Sequence, residues 1–591
     1  MKTKTTKLTI IMAFLFLCMT LPPFDCDTPT GSAVMDANNV KTTLKNGGDL
    51  WWNGNDAKYV VPKPAAGSGL PEVSAIFAGA LWMGAIDPSG ELKLAAQQYG
   101  ANSGQYDYFA GPLNENGTTD FSTCSNFDRI WSTNKSDIDT HIADFADNGM
   151  IDGPVPESVL AWPGRLSLEF EDIHGFELPD YGYNFAPFVD QNSNGSYEPN
   201  LGDYPNINGA DQGHWTVFND NGNVHTETDA PPLKMEVHLL AYAYASSDEA
   251  INNTTFYDYK FVNKSNTDLD SFYVGLWVDP DLGCFTDDYI GCSPEHDLAY
   301  VYNMDAQDGT ADCSCPGGIN TYCEEIPVIG FKILRGPKAE RIYLPNGELV
   351  FPPSGTEADT LIELGLTSLI HDSNGGVIPS PIPSVSIPRQ YYNFLTGKWP
   401  DGTPITYGGD GYDPTSTDTT HFVFSDNPSD PDGWSMCQEN TPASDSRMVL
   451  GLGPSRMVSG AINSITFAVV FKPEVPHPCP DIGCVEDVAD EVQDFYDDEI
   501  FTSIHTPDYD PSILRFVPNP FTNQSELIIE NTTQSIEQVQ LFSINGQLLR
   551  TYNSLSSNRL TVERGNLSPG MYVYKARTNE QKMYTGKFVI Q

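Results

Sequence analysis

Positive charge is scarce in this chain. It carries 31 Lys and Arg against 79 Asp and Glu, a formal charge of −48 at pH 7. A surface of that sign repels other polyanions, which excludes nucleic acid and direct docking on anionic lipid. It favours solubility and leaves many oxygen ligands for hard cations. Long apolar runs are scarce too. After Leu21 no stretch approaches the roughly 18 apolar residues that a membrane-spanning helix needs, so no transmembrane segment is expected in the mature chain. Three reaction classes lack their signatures. There is no His-Glu-x-x-His for a zinc hydrolase, no Gly-x-Ser-x-Gly nucleophile elbow and no phosphate-binding glycine loop. The sequence therefore assigns no catalytic and no cofactor-binding residue. Paired carboxylates for glycoside hydrolysis cannot be singled out among so many acids, because the spacing they need is spatial.

What is present begins with "MKTKTTKLTIIMAFLFLCMTLPPF". Lys2, Lys4 and Lys7 precede an apolar run from Leu8 to Leu21. This predicts a secretory signal peptide over residues 1–25. "PFDC" gives no convincing lipoprotein cleavage motif at Cys26. Of 11 Cys, Cys18 falls inside the signal, leaving an even number in an exported chain, which predicts disulfides. The nearest partners in sequence are Cys284 with Cys292 and Cys479 with Cys484. "CSCPGGINTYC" (313–323) holds three Cys, so at least one of them must pair elsewhere if all are oxidised. As a zinc pattern that spacing is weak.

Residues 30–50, "VMDANNVKTTLKNGG" at their centre, read as a short helical opening stopped by Gly47-Gly48. Strand-like runs then dominate: "AIFAGALWMGAI", "KMEVHLLAYAYA", "TTFYDYKFVN", "SFYVGLWVD", "PVIGFKIL" and "ITFAVVFK". They are rich in Val, Ile, Tyr and Phe and are separated by turn residues. "WTVFNDNGNVHTET" carries a hairpin signal around Asp220-Asn221-Gly222. Connections at 336–365, 371–390 and 400–440 show little pattern. Residues 26–480 are thus expected to form a large β-rich region, antiparallel and sandwich-like. In 481–504, Val485, Val488, Val492, Phe495 and Tyr496 recur at helical spacing beside an acidic face, predicting an amphipathic helix. A linker is expected at 505–512. Residues 513–591 read as a separate small Ig-like β-sandwich of seven or so strands, with a tight hairpin at Asn545-Gly546.

Within that last module, "PNPF" (518–521), "SINGQLL" (543–549), "LSPGMYVYKA" (567–576) and "GKFVIQ" (586–591) resemble the type A sorting domain of the type IX secretion system, a family known from the Bacteroidota. The resemblance implies passage of the inner membrane by the signal peptide. Recognition of this module by the type IX machinery then carries the chain across the outer membrane, to be released or attached to the surface. "GGDLWWNGNDAKYVVPK", "FAGALWMGAID", "APFVDQNSNGSYEPNLGDYP", "NNTTFYDYKFVNKS" and "GLWVDPDLGCFTDDYIGC" resemble a large domain that recurs in such cargo. That second resemblance implies no activity.

The run "VDQNSNGSYEPNLGDYP" (189–205) alternates carboxylates and amides around one glycine. Calcium takes six to eight oxygens, and a loop supplies them from alternate positions with glycine at the sixth. Asp190, Asn192 and Asn194 fill positions one, three and five, Gly195 six, Ser196 offers its carbonyl at seven and Glu198 stands at nine. Position twelve is Leu201, so Asp203 is expected to take the role of the closing carboxylate. The flanks do not read as helices, so this is a calcium loop without an EF-hand. Asp279, Asp281, Asp287 and Asp288 form a weaker second candidate for a cation, directly after an apolar strand. His214, His225 and His238 read as scattered structural histidines. Trp51, Trp52, Trp82 and Trp277 read as core rather than sugar-stacking platforms.

These readings lead to an exported surface or secreted β protein that binds calcium and serves adhesion, ligand binding or structure, with a glycan or a protein as its extracellular partner. A secreted hydrolase acting on polysaccharide is the alternative. Two carboxylates roughly 5 or 9 Å apart in a cleft beside an exposed aromatic would favour the hydrolase.

Overall fold

The computed structural model describes residues 26–501, except 310–312, 314, 316–319, 345–348, 353–357, 359, 375–383 and 443. Beyond that it describes 514–517, 519, 521–529, 535–543, 548–553, 557–565, 567–568, 570–578 and 583–590. The expected signal peptide, the linker at 505–512 and the Asn545-Gly546 turn lie outside the described residues. The protein is mainly β, with 37% strand and 14% helix. It divides into two compact units, Met1–Ile130 with Trp215–Val492, and Trp131–His214 with Gln493–Gln591.

Two antiparallel sheets build the first unit. In one, Ser32–Met35, Thr42–Lys45, Asp49–Leu50, Ala78–Ile86, Leu269–Asp279, Ser446–Met457 and Ser368–Ser373 lie side by side in that order, and Leu92–Ala95 also pairs with Ala78–Ile86. In the other the order is Asp288–Ser293, Leu298–Asn303, Val328–Arg335, Ile462–Lys472, Thr255–Asn263, Met235–Ala243, Gln212–Asn219 and Phe109–Ala110. The sheets are laid face to face by aromatic side chains. Trp51, next to the short strand Asp49–Leu50, lies 5.9 Å from Tyr257, 5.7 Å from Phe331 and 6.3 Å from Phe467, all three on the second sheet. Gly79 in the first sheet makes room for it, since a Cβ there would stand 2.3 Å from the Trp51 ring. Strand alternation supplies the matching face: Tyr257 is opposite Phe467 and Tyr259 opposite Ile465 across the pair.

Several expectations for this unit are corrected. Residues 30–50 form a β-hairpin, with Ser32 opposite Lys45 and Met35 opposite Thr42. Asn38 decides the turn, its Oδ1 accepting from Val40 N at 2.9 Å and its amide donating to Thr254 O at 2.7 Å. The apparent hairpin at 220–222 is a longer excursion. Asp220 is buried, and its carboxylate accepts from Leu233 N and Met235 N, both at 2.6 Å, so the chain returns only as strand Met235–Ala243. Burial pushes the Asp220 carboxyl up to about 6. The weakly patterned connections hold structure too: Lys338–Tyr343 pairs with Leu349–Val350 and Thr360–Glu363, and helix Pro388–Leu395 buries Tyr391, Tyr392, Phe394 and Leu395.

The neighbouring-cysteine pairings are also replaced. The bonds are Cys26–Cys124, Cys284–Cys313, Cys315–Cys323 and Cys437–Cys479, with Cys292 and Cys484 as thiols. Cys292 is held inside strand Asp288–Ser293 opposite Ala299, and its thiol faces Val423 O at 3.4 Å. Cys484 sits in the first turn of helix Gly483–Phe495, its sulfur 3.5 Å from Asp481 O. Strand and helix geometry point both sulfurs away from their sequence neighbours. That helix buries Val485, Val488, Ala489 and Val492, and Tyr496–Phe501 continues it as a π-helical turn.

Among the described residues, the C-terminal module has seven strands. Leu514–Val517, Gln524–Ile529 and Arg559–Glu563 form one sheet. Leu548–Tyr552, Ile536–Ser543, Gly570–Thr578 and Met583–Ile590 form the other. Phe516, Phe521, Leu527, Val539, Leu541 and Phe588 belong to its core, with Phe516 and Phe588 of the two sheets 4.5 Å apart.

Candidate functional site

The loop at 190–203 turns at Gly195, whose φ of 81° lies in the left-handed region. Alternate side chains close it from within. Asp190 Oδ2 accepts from Gly195 N at 2.7 Å, and Asn194 Oδ1 accepts from Ser196 N at 2.8 Å. The amides of Asn192 and Asn194 donate to Glu198 Oε2. Asp203 returns to the loop from the other side: its Oδ1 accepts from Gln191 N at 2.9 Å and its Oδ2 from Glu198 N at 2.8 Å. Asp203 is fully buried, and burial raises its carboxyl, with Asp190 and Glu198 as neighbouring negative charges. Segment Asp190 to Asp203 thus gathers three carboxylates and two amides on one turn. Arg165, the nearest atom to a side chain at Gly195, spends its guanidinium on Asp180 at 2.8 Å.

The second candidate set is divided by the fold. Asp279 ends strand Leu269–Asp279, and Val278 is opposite Met448 on the adjoining strand. On that strand's far side Asp372 is opposite Arg447. The three strands therefore end level, and Asp279, Arg447 and Asp372 form a row across them. Asp281 and Asp445 join from the flanking turns. Oxygens of Asp279, Asp281 and Asp445 all lie within 4.8 Å of one another. Arg447 Nε is 3.7 Å from Asp279 Oδ1, and its guanidinium lies over the Tyr99 ring at 5.1 Å. Tyr99 donates its hydroxyl to Asp279 Oδ2. Burial, opposed by Arg447, pushes the Asp279 carboxyl up to about 7, and burial also raises Asp281 and Asp372.

Asp287 and Asp288 belong to a different group with Asp308. Asp287 Oδ2 accepts from Gly309 N at 3.0 Å, Asp308 Oδ1 from Cys284 N at 2.9 Å, and Asp288 Oδ2 from Leu282 N at 2.7 Å. Burial pushes Asp308 up to about 6. The Cys284 sulfur lies within 4.8 Å of carboxylate oxygens of Asp287 and Asp308, but its bond to Cys313 removes it as a thiolate ligand. The histidines stay apart: Ser132 Oγ is 2.8 Å from His214 Nδ1, His225 faces the Asp220 carbonyl, and His238 Nε2 is 2.8 Å from Glu236 Oε1. Trp51, Trp52, Trp82 and Trp277 are all core residues, at most 1% exposed.

In the C-terminal module two of the quoted motifs, PNPF and GKFVIQ, meet on the last strand. Asn519 Oδ1 accepts from Val589 N at 2.8 Å, and Phe521 N donates to Val589 O at 3.0 Å. Phe588 and Ile590 beside it are buried. Residues 515–591 match the family described as the secretion system C-terminal sorting domain. The chain therefore carries the sorting tail of a type IX secretion cargo protein. Its tail implies contact with the type IX machinery and export to the exterior, as a secreted or surface-attached protein. Among the described residues, no helix of the cargo protein is long and apolar enough to cross a membrane. No curated protein sequence matches it. Two solved structures are distant likenesses. One is a polysaccharide lyase, 10% identical with a TM-score of 0.17, covering 70% of this chain and 43% of its own. The other is the adhesin domain of Epf from Streptococcus pyogenes, 7% identical with a TM-score of 0.10, covering 59% of this chain and 87% of its own. The cargo protein thus spans under half the length of the first of these.

Sequence reasoning had no route to Asp372, Asp445, Arg447 or Asp308. Asp372, Asp445 and Arg447 lie far along the chain from Asp279 and meet it through strand register, and the loop after strand Leu298–Asn303 carries Asp308 back to Asp287.

Proposed function

We propose that the cargo protein acts outside the cell as a calcium-binding β protein that serves adhesion, ligand binding or structure. The observation that carries the calcium reading is the closure of the 190–203 loop by Asp203. That buried carboxylate is brought back onto a turn already holding Asp190, Asn192, Asn194 and Glu198. Hard oxygen donors of this kind suit calcium over softer metals, and three carboxylates with two amides suit the roughly 10⁻⁴ to 10⁻³ M affinities of extracellular modules. Calcium would draw the Glu198 carboxylate and the amide oxygens inward and stiffen the loop. Titration calorimetry with calcium, alongside glycan-array binding with and without chelator, tests this reading. Loss of one calcium-binding event from the heat in Asp190→Ala supports it. No calcium uptake, or release of sugars from polysaccharide substrates, refutes it, the latter in favour of a hydrolase.

A further inference from the structure

The acidic row at the strand ends is incomplete as it stands. Four carboxylates, Asp279, Asp281, Asp372 and Asp445, face one guanidinium, that of Arg447, the cationic partner among the described residues. Asp279 and Asp372 are 4% and 7% exposed, and Asp279 Oδ1, Asp372 Oδ2 and Asp445 Oδ1 are buried oxygens that no hydrogen bond reaches. Native structures satisfy buried polar oxygens, and each exception calls for a reason. The bonds that do reach the group orient it. Tyr99 holds Asp279 Oδ2, and Asn374 holds Asp445, its side-chain amide on Oδ2 and its N–H on the carbonyl, both at 2.8 Å. Asp281, at the turn after the strand, has φ 34°, a left-handed conformation uncommon for aspartate.

We propose that the cargo protein binds a divalent cation, calcium by its ligand chemistry, between Asp279, Asp281 and Asp445. The three oxygens already lie within 4.8 Å of one another, a spacing that a single oxygen-coordinated ion spans. The ion neutralises the charge that Arg447 leaves over, adds to the 3.7 Å Arg447 ion pair on Asp279 Oδ1, and reaches the Asp445 Oδ1 that no hydrogen bond satisfies. Its ligands come from two strand ends and the turn between strands, so it locks Leu269–Asp279 to Ser446–Met457. This site is separate from the 190–203 loop and does not depend on it.

Two measurements on the full exported chain test the site. Terbium(III) stands in for calcium, and excitation of Tyr99 and Trp277, whose rings are 5.1 Å apart, should sensitise its emission. Read in the Asp190→Ala background, Asp281→Asn and Asp445→Asn should each weaken terbium affinity by at least the ~10-fold that loss of even an outer-shell partner costs, and calcium should displace the ion. The second measurement is thermal unfolding in an Asp190→Ala background, where the loop is disabled. Calcium should still raise the melting temperature there, and adding Asp445→Asn should abolish the rise. In chelator the Asn variants should melt no lower than their parents, because each removes one of several like charges. If the calcium shift is already gone in Asp190→Ala, or survives in Asp190→Ala with either Asn substitution, the proposal fails. If the loop binds nothing, Asp190→Ala melts like the parent and Asp445→Asn alone removes the shift.

Discussion

Trp51 donates its indole N–H to the hydroxyl of Tyr257 at 2.8 Å, a buried hydrogen bond between the two sheets of the first unit. The bond lies within a cluster of edge-on aromatic rings, an arrangement that adds ~0.5–1.5 kcal/mol per pair beyond burial. It makes the core specific as well as apolar. Replacing Tyr257 by Phe strands the indole N–H and should cost about 1–3 kcal/mol. Trp51→Ala opens a cavity and should cost about 3–5 kcal/mol. Gly79→Val should rival it, because the new side chain meets the ring. Urea unfolding of the three variants checks the order; a Tyr257→Phe protein as stable as the parent would refute the role of the bond.

The 190–203 loop predicts a calcium-dependent melting temperature. At ten times the dissociation constant, calcium should stabilise the fold by about 1.4 kcal/mol. Asp190→Ala should lose the loop's share of that gain, keep the rise that comes from the Asp279–Asp281–Asp445 site, and matter less in chelator. Gly195→Val should destabilise in both conditions. Only Arg165, 3.6 Å away, approaches the added Cβ, so the cost comes from φ rather than from space. Identical melting curves with calcium and with chelator would leave the loop as a polar turn.

Stability should fall as pH rises towards neutrality, through Glu227. Burial pushes its carboxyl up to about 7, the Tyr391 hydroxyl at 2.9 Å opposes this, and Asp107 and Asp49 add to it. The folded protein therefore holds a proton that the unfolded chain releases near pH 4.3, as an ordinary glutamate does. The stabilisation is complete below that pH and is lost as pH rises through about 7, by at most about 4 kcal/mol. Asp220, buried and raised to about 6, acts in the same direction. Glu227→Gln keeps an acceptor for Tyr391 and should flatten the decline between pH 5 and 8, measured by melting temperature. An unchanged slope would assign the effect elsewhere.

The thiol count of the exported chain follows from the disulfides. Labelling after denaturation without reductant should modify Cys292 and Cys484 and spare the eight bonded cysteines. Peptide mapping should recover Cys437 joined to Cys479. Removing that bond, which closes a loop of 42 residues, should cost about 4 kcal/mol. A Cys479–Cys484 peptide would contradict the pairing.

Export should depend on the C-terminal module. Deleting residues 512–591 should leave folded protein in the periplasm. Phe588→Ala, at the contact between the module's two sheets, should destabilise the module by about 3–5 kcal/mol and reduce export without unfolding the rest. Surface display of the deletion product would refute the assignment.

The sequence by itself determined the β class, because strand-forming residues and turn residues alternate along the chain, and it determined the export address, because the motifs of the tail are contiguous. It also named Asp190, Asn192, Asn194, Glu198 and Asp203, whose side chains the structure joins in one turn, since a turn closes over residues that are neighbours in the chain. Only the tertiary structure decided that residues 30–50 are a hairpin, where Asn38 reaches Thr254 to hold the turn. It decided which cysteines meet, because strand and helix positions aim each sulfur regardless of sequence distance. It alone brought Asp279, Asp372 and Asp445 together. Their meeting depends on the register and order of three strands, and register is set by side-chain packing on faces that a local pattern does not reveal.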